Sequence, residues 1–408
     1  MASLSLDPHH PTEHDAFLVA AAPSQSSQVG EGKMFINAFD KTADLDVLDH
    51  PIPNFIYYMR KVIIMAKSIL EKATEQLCRT LFLDRITIVD LGCSSGPNAL
   101  SVVSQVLDII SKLDERQSKE EERTLPEIQF ILNDLPSNDF NSVFQSLEEF
   151  NKKIKEERGN LLVPYYVAAA SGSFHGRLFP SSTVQFFYCS TSLHWLSQAP
   201  RELGSAEAIS QNRGNIYFTR TSPPWIVKAY REQFRRDFST FLESRFEELS
   251  VGGGALLIFP GREGEDEDGD IFNHISELFS DSLNAMAEEG IISKAKLDAF
   301  NMPFYSPLLE EVKSIILNES SFDIEQAHLL SYKWLDATKL DILRDGKMIA
   351  NGFRAWNESL FAHHFGDAIL DELFERFAER VSRGILEEKL TNCTVSNIII
   401  ELKKNTPP

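Results

Sequence analysis

Asp90 and Asp134 each close a short β-rich run, residues 86–89 and 128–132, and an acid at the carboxyl end of a buried strand is placed to meet a ligand. After Asp90 comes Leu91-Gly92-Cys93-Ser94-Ser95-Gly96-Pro97-Asn98, then an amphipathic stretch carrying Leu100, Val103, Val106, Leu107 and Ile110. Glycines here let backbone approach a ligand that a Cβ would hold away. The spacing departs from the G-x-G-x-x-G that aims helix amides at a pyrophosphate. A strand-ending carboxylate suits an ammonium instead. Asp134, in Ile131-Leu132-Asn133-Asp134-Leu135-Pro136, is suited to accept hydrogen bonds from both hydroxyls of a ribose. Ser173 and Phe174 follow a third run, 165–169, where a hydroxyl and a ring can flank an adenine. A plain turn with a core Phe is an equal reading of that last pair.

Such residues need a scaffold, and from about Arg85 the chain alternates short β-rich runs with helical stretches, the pattern of a parallel sheet covered by helices. Strands are predicted at 86–89, 128–132, 165–169, 184–188 and 255–259, and their nearly unbroken apolar character predicts burial on both faces. A last strand at 395–402 is predicted at an edge. Residues 112–123 are dense in charge and read as a solvated loop or helix end, and the acidic run 263–270 lacks the ligand alternation of a calcium loop. Residues 270–380 read as mostly helical, enough to cap the carboxyl edge of the sheet, where an open α/β sheet takes its ligands. The expected fold class is α/β, with a Rossmann-like sheet and a mostly helical cap drawn mainly from 200–230 and 265–380.

Composition narrows the function. A formal net charge of −20 would repel a phosphodiester backbone, which sets nucleic acid aside as a partner. No apolar run reaches the roughly 18 residues that a membrane crossing needs. The four cysteines have no C-x-x-C spacing, so reduced thiols in the cytoplasm are the simplest reading. The first 50 residues read as a disordered leader and 51–408 as the working domain.

At Ser192-Leu193-His194-Trp195-Leu196-Ser197 the chain resembles the plant SABATH family of S-adenosylmethionine-dependent methyltransferases of small molecules. The resemblance also rests on the Asp90–Asn98 and Leu132–Pro136 stretches, Gly172-Ser173-Phe174-His175-Gly176-Arg177-Leu178-Phe179-Pro180, Asn212-Arg213-Gly214-Asn215-Ile216-Tyr217, Asp298-Ala299-Phe300-Asn301 and His364-Phe365-Gly366. It spans about Arg60 to Lys403. It implies a class I methyltransferase sheet and transfer of a methyl group from S-adenosylmethionine to a small acceptor, most simply a carboxylate. Cys93, Asn98, Asp134, Leu135, Ser173 and Phe174 match cofactor positions, with Asp90 near the methionine end. Thr191, His194 and Trp195 match the acceptor pocket, His194 orienting an acceptor oxygen and Trp195 giving a flat wall. Trp225 is a weaker candidate there, and Trp334 and Trp356 weaker still. Asn212, Asp298, Phe300 and Asn301 match a magnesium site of structural role, and the family implies a homodimer.

The chain departs from the family pattern before Arg60. By position Ile52, Ile56 and Met59 stand where relatives carry a Tyr, a cofactor-touching Ser and a Gln that holds the acceptor carboxylate. Three functions therefore compete: a methyltransferase with altered acceptor choice, including a xanthine-like nitrogen; a low-activity or inactive family member; and an α/β enzyme using another nucleotide cofactor.

Overall fold

The computed structural model describes residues 55–80, 84–95, 97–117, 126–158, 163–219, 222–264, 271–335 and 341–405. The expected leader, the Ile52 position, Gly96 and most of the acidic 263–270 run lie outside them, as do the side chains of Ile56, Met59 and Asn98.

The central element is a seven-stranded sheet: β1 (Arg85–Leu91), β2 (Glu127–Asp134), β3 (Tyr165–Ser171), β4 (Val184–Ser190), β5 (Leu249–Gly261), β6 (Phe322–Lys333) and β7 (Thr394–Lys404), in spatial order β3-β2-β1-β4-β5-β7-β6. The first five strands are parallel and β7 runs antiparallel between β5 and β6. Chain order reverses between β1 and β4, which opens a crevice at their carboxyl ends.

The helices are α1 (Phe55–Thr80), α2 (Ser101–Gln117), α3 (Phe140–Arg158), α4 (Ala206–Gln211), α5 (Pro224–Glu248), α6 (Ile271–Glu288), α7 (Lys294–Ala299), α8 (Leu309–Glu319), α9 (Ile342–Phe365) and α10 (Leu370–Leu386). Their apolar residues recur at three and four, the spacing of one helical face. In α2 the face is Val103, Val106, Leu107 and Ile110, and in α10 it is Leu370, Leu373, Phe374, Phe377 and Val381; all are buried.

Four expectations need correction. The final strand is not at an edge: β7 lies inside the sheet, and Val395, Ile398, Ile399 and Ile400 are buried on both of its faces. The edge is β6, inside the stretch read as helical, where a register shift between Ile324 and Gln326 interrupts its period of two. β3 is the other edge and is not buried on both faces, with Tyr166 58% exposed. At the start, α1 is already helical at Phe55, ahead of the expected Arg60. The charged 112–123 stretch begins as the last turns of α2, with Leu113 buried.

Candidate active site

Gly92 follows β1 at φ +76°, and a Cβ there would fall 2.2 Å from Ser192 Oγ and 3.7 Å from the Phe174 ring. Three loops therefore meet where only glycine fits. Hydrogen bonds stitch them together. The Gly92 and Cys93 amides donate to the Asn133 carbonyl, both at 2.9 Å, and Asn133 Nδ2 donates to Ala170 at 2.9 Å and Gly172 at 3.0 Å. Ser192 Oγ donates back to Gly92 at 3.2 Å. Asp134 joins the same network, accepting from the Ser94 amide on Oδ2 and the Leu135 amide on Oδ1, each at 2.7 Å. Those bonds favour its charged form, yet burial outweighs them and raises its pKa.

Asp90, one strand over, is held at a pKa of about 8, first by burial and then by the charge of Asp134. Among the described residues no cation pairs with either of these two buried carboxyl groups, so the site is electrostatically unfinished and a cationic ligand would complete it. The Cys93 thiol is buried and pushed well above its ordinary range, chiefly by desolvation, so it stays protonated and serves as a small soft surface. Ser173 is exposed, its hydroxyl accepting from the His175 amide at 3.3 Å, while Phe174 is half-buried against Phe241. Asp90, Cys93, Asp134, Leu135, Ser173 and Phe174 thus come together at the carboxyl ends of β1 to β3.

After β4, Thr191 adopts φ +59° and its amide reaches Ile258 across to β5. The turn delivers His194 and Trp195 onto the segment around Phe304, with the Tyr305 amide donating to the His194 carbonyl at 2.9 Å. His194 is 1% exposed, enclosed by Trp195, Phe304 and Trp356, and among the described residues neither ring nitrogen has a partner. Burial alone drives its pKa down to about 3. The imidazole is neutral, with one donor and one acceptor free for a ligand. Trp195 and Trp356 both line the adjoining recess. Trp225 does not, since its indole donates to Gln211 at 2.7 Å. Trp356, ranked with Trp334 below Trp225 from sequence, is thus the one of the three that lines the recess.

One helix fastens both halves, and nothing in its residue pattern marks it for that role. Near its end α5 carries Arg245 and Glu248, 1% and 0% exposed and joined at 2.7 Å. Arg245 donates to the Phe174 and Gly176 carbonyls at 2.8 Å each, and Glu248 accepts from the Leu178 and Phe179 amides. The ion pair clamps the loop that presents Phe174. Two turns earlier Asp237 accepts from the amide of Ser197 at 2.9 Å and its hydroxyl at 2.7 Å, with Gln233 as a third donor. That second clamp holds the turn carrying His194 and Trp195. His175 links the clamps: its ring bonds the Trp195 backbone and lies against Phe174.

The remaining four candidates lie on two segments, 212–217 and 298–302, that are bonded to each other elsewhere. Asn212 follows α4, and the Gly214 amide donates to Asp298 at 3.1 Å; Met302, two residues past Phe300, donates to Ile216. Asn212 Oδ1 accepts from Ser222, and Arg213 lies 3.7 Å from Asp298. Among the described residues no group of three His, Cys, Asp or Glu side chains gathers as a metal cluster.

Comparison with known proteins agrees with this geometry. A family model described as SAM dependent carboxyl methyltransferase matches residues 57–405. A probable jasmonic acid carboxyl methyltransferase of Theobroma cacao is 39% identical over 352 residues, 84% of this chain and 92% of that protein. An inactive anthranilate O-methyltransferase of Zea mays is 38% identical over 340 residues, 81% of this chain and 88% of the relative. Among solved structures, loganic acid methyltransferase with SAH superposes with a TM-score of 0.72 at 27% identity, covering 86% of this chain and 94% of that one. With the cofactor crevice, the buried histidine and a family match over nearly all described residues, the chain belongs to the SAM-dependent carboxyl methyltransferases, the plant SABATH family.

Proposed function

We propose that the protein methylates the carboxylate of a small plant acid at the recess beside His194 and Trp195, with Asp90, Asp134 and Phe174 holding the cofactor. The observation that carries this reading is a pair of buried carboxyl groups at the ends of β1 and β2 together with an aromatic recess whose Trp195 and Trp356 also enclose a neutral histidine, its ring nitrogens without a partner among the described residues. Bound S-adenosylmethionine supplies a methyl group on a sulfonium. The chain's own residues do the rest. Asp90 neutralises the cationic end, Asp134 keeps lone pairs for hydroxyls beyond its two amide bonds, and Phe174 offers a flat face. A carboxylate is already ionised near neutral pH and needs no general base. His194, held neutral, donates one hydrogen bond that orients the acceptor oxygen, and the rings exclude water, so that proximity and desolvation supply the acceleration.

The helices α4, α6, α7 and α9 act in this reading as the cap over the crevice. A magnesium ion at Asn212, Asp298, Phe300 and Asn301 fits by donor type, since all four offer oxygen. Gly214 and Arg213 already engage Asp298, so the ion would reinforce a junction that exists without it, and no step depends on it. A cytoplasmic homodimer completes the proposal, and sedimentation would test the dimer.

The relatives' names favour carboxylic acids: jasmonic acid, anthranilate and loganic acid. The inactive relative keeps a second reading alive, that Met59 in place of Gln leaves a weak enzyme. Calorimetry with S-adenosylmethionine, then initial rates with labelled cofactor on carboxylic acids, phenols and xanthines, tests both. Cofactor binding with methyl ester formation supports the first reading. Binding without turnover, restored toward acids by Met59→Gln, supports the second. No cofactor binding overturns both.

A further inference from the structure

The recess beside Trp195 lies between two helical faces, α6 contributing Phe272, Ile275, Ser276 and Phe279 and α9 contributing Phe353, Trp356 and Asn357. Phe304 and Met302 complete its walls. In so apolar a space the polar side chains decide what polar chemistry is admitted. The Ser276 hydroxyl donates to the Phe272 carbonyl at 2.8 Å, which uses its proton and leaves lone pairs. Asn357 Nδ2 donates to the Phe353 carbonyl at 2.9 Å. Turning that amide over would set oxygen against oxygen, so its Oδ1 is fixed as an acceptor. Asn357 is 2% exposed, and Oδ1 is buried without a partner among the described residues. A buried acceptor in that state is destabilising until a donor reaches it.

We propose that Ser276 and Asn357 form a second polar end of the acceptor site, one that recognises a neutral O–H or N–H group on the acid, away from its carboxylate. This rests on the carboxylate-acceptor reading above. Two oxygens with free lone pairs repel a carboxylate, so the same pair turns the charged end of the acid toward His194 and Trp195. The acceptor is then a monocarboxylic acid with a hydroxyl or amino donor on its far side. Plain hydrocarbon acids and diacids fit less well.

Benzoic, 3-hydroxybenzoic and 4-hydroxybenzoic acids share one skeleton and differ in that donor. Their affinities for the full-length protein saturated with S-adenosylhomocysteine are measured by calorimetry, and their methylation rates with labelled cofactor. One hydroxylated acid is expected to exceed benzoic acid by about tenfold or more in both, the scale of one matched buried hydrogen bond. Asn357→Leu should level the series while the affinity for S-adenosylhomocysteine stays as it was. Equal affinities in the wild type, binding of none of the three, or a preference that survives Asn357→Leu overturns the proposal. Should that variant not fold, the wild-type series decides alone. Acids that bind with the hydroxyl preference but are never methylated would refute the carboxylate reading and leave the recess assignment standing. Methylation without preference would do the reverse.

Discussion

Asp134 Oδ2 accepts the Ser94 amide at 2.7 Å, so the acid proposed to hold the cofactor also fixes the loop after β1. Removing it therefore strikes twice. Asp134→Ala should weaken S-adenosylmethionine binding by about 2 to 3 kcal/mol, the scale of charge-assisted hydrogen bonds lost in a buried site. Calorimetry that finds the affinity unchanged would remove Asp134 from the cofactor site.

Asp90 ties cofactor binding to pH. Its pKa rises from an ordinary 3.8 to about 8 on folding. The native state therefore keeps a proton that the unfolded chain releases, so this group's contribution to stability declines as pH climbs from 3.8 to about 8. A cationic ligand reverses the shift and expels the proton. Binding at about pH 7 should release up to about one proton and should tighten toward pH 8. Calorimetric enthalpies compared in buffers of different ionisation heat measure this, and identical enthalpies would contradict it.

His194, held neutral at a pKa of about 3, should leave no trace in the pH dependence of kcat between about pH 6 and 9. His194→Ala should reduce turnover yet keep cofactor affinity within about threefold, or roughly 0.7 kcal/mol. A limb near pH 6.5 that vanishes in the variant would show that the imidazole titrates in the working enzyme.

The two clamps on α5 should separate in kinetics. Asp237→Asn disturbs the turn of His194 and Trp195, and should lower kcat and raise the KM of the acceptor more than that of the cofactor. Glu248→Gln breaks a buried ion pair, with a stability loss of about 3 to 5 kcal/mol, and should raise the cofactor KM through the Phe174 loop. Urea unfolding and two-substrate kinetics report both. Equal effects on both KM values in each variant would mean that the clamps only hold the fold together.

The geometry around Asp90 was legible because strand, acid, glycine turn and helical turn follow one another within the Ile88–Asn98 stretch, where local geometry leaves little choice. The interior position of β7 could have been read from Val395, Ile398, Ile399 and Ile400, an apolar run that an edge does not need. β6 was hidden because its bulge breaks the alternation and half its residues face solvent. Neither clamp could be read at all. Arg245 and Glu248 look like one more exposed pair at helical spacing until the Phe174 loop, some 70 residues earlier in sequence, closes over them. Trp356 lines the recess and Trp225 does not for the same reason: α9 is brought beside α6 by tertiary contacts such as that of the Phe279 and Phe353 rings.

Most walls of the recess come from α6 and α9, whereas the residues proposed to hold the cofactor lie at the ends of β1, β2 and β3 and on the loops after them, which are bonded to one another. Substitutions on the helical walls leave that stitching untouched. Descendants of one ancestral scaffold are thereby free to exchange one metabolite for another by changing a few side chains, and a chain that loses its old acceptor still keeps a loaded methyl donor on which selection can work.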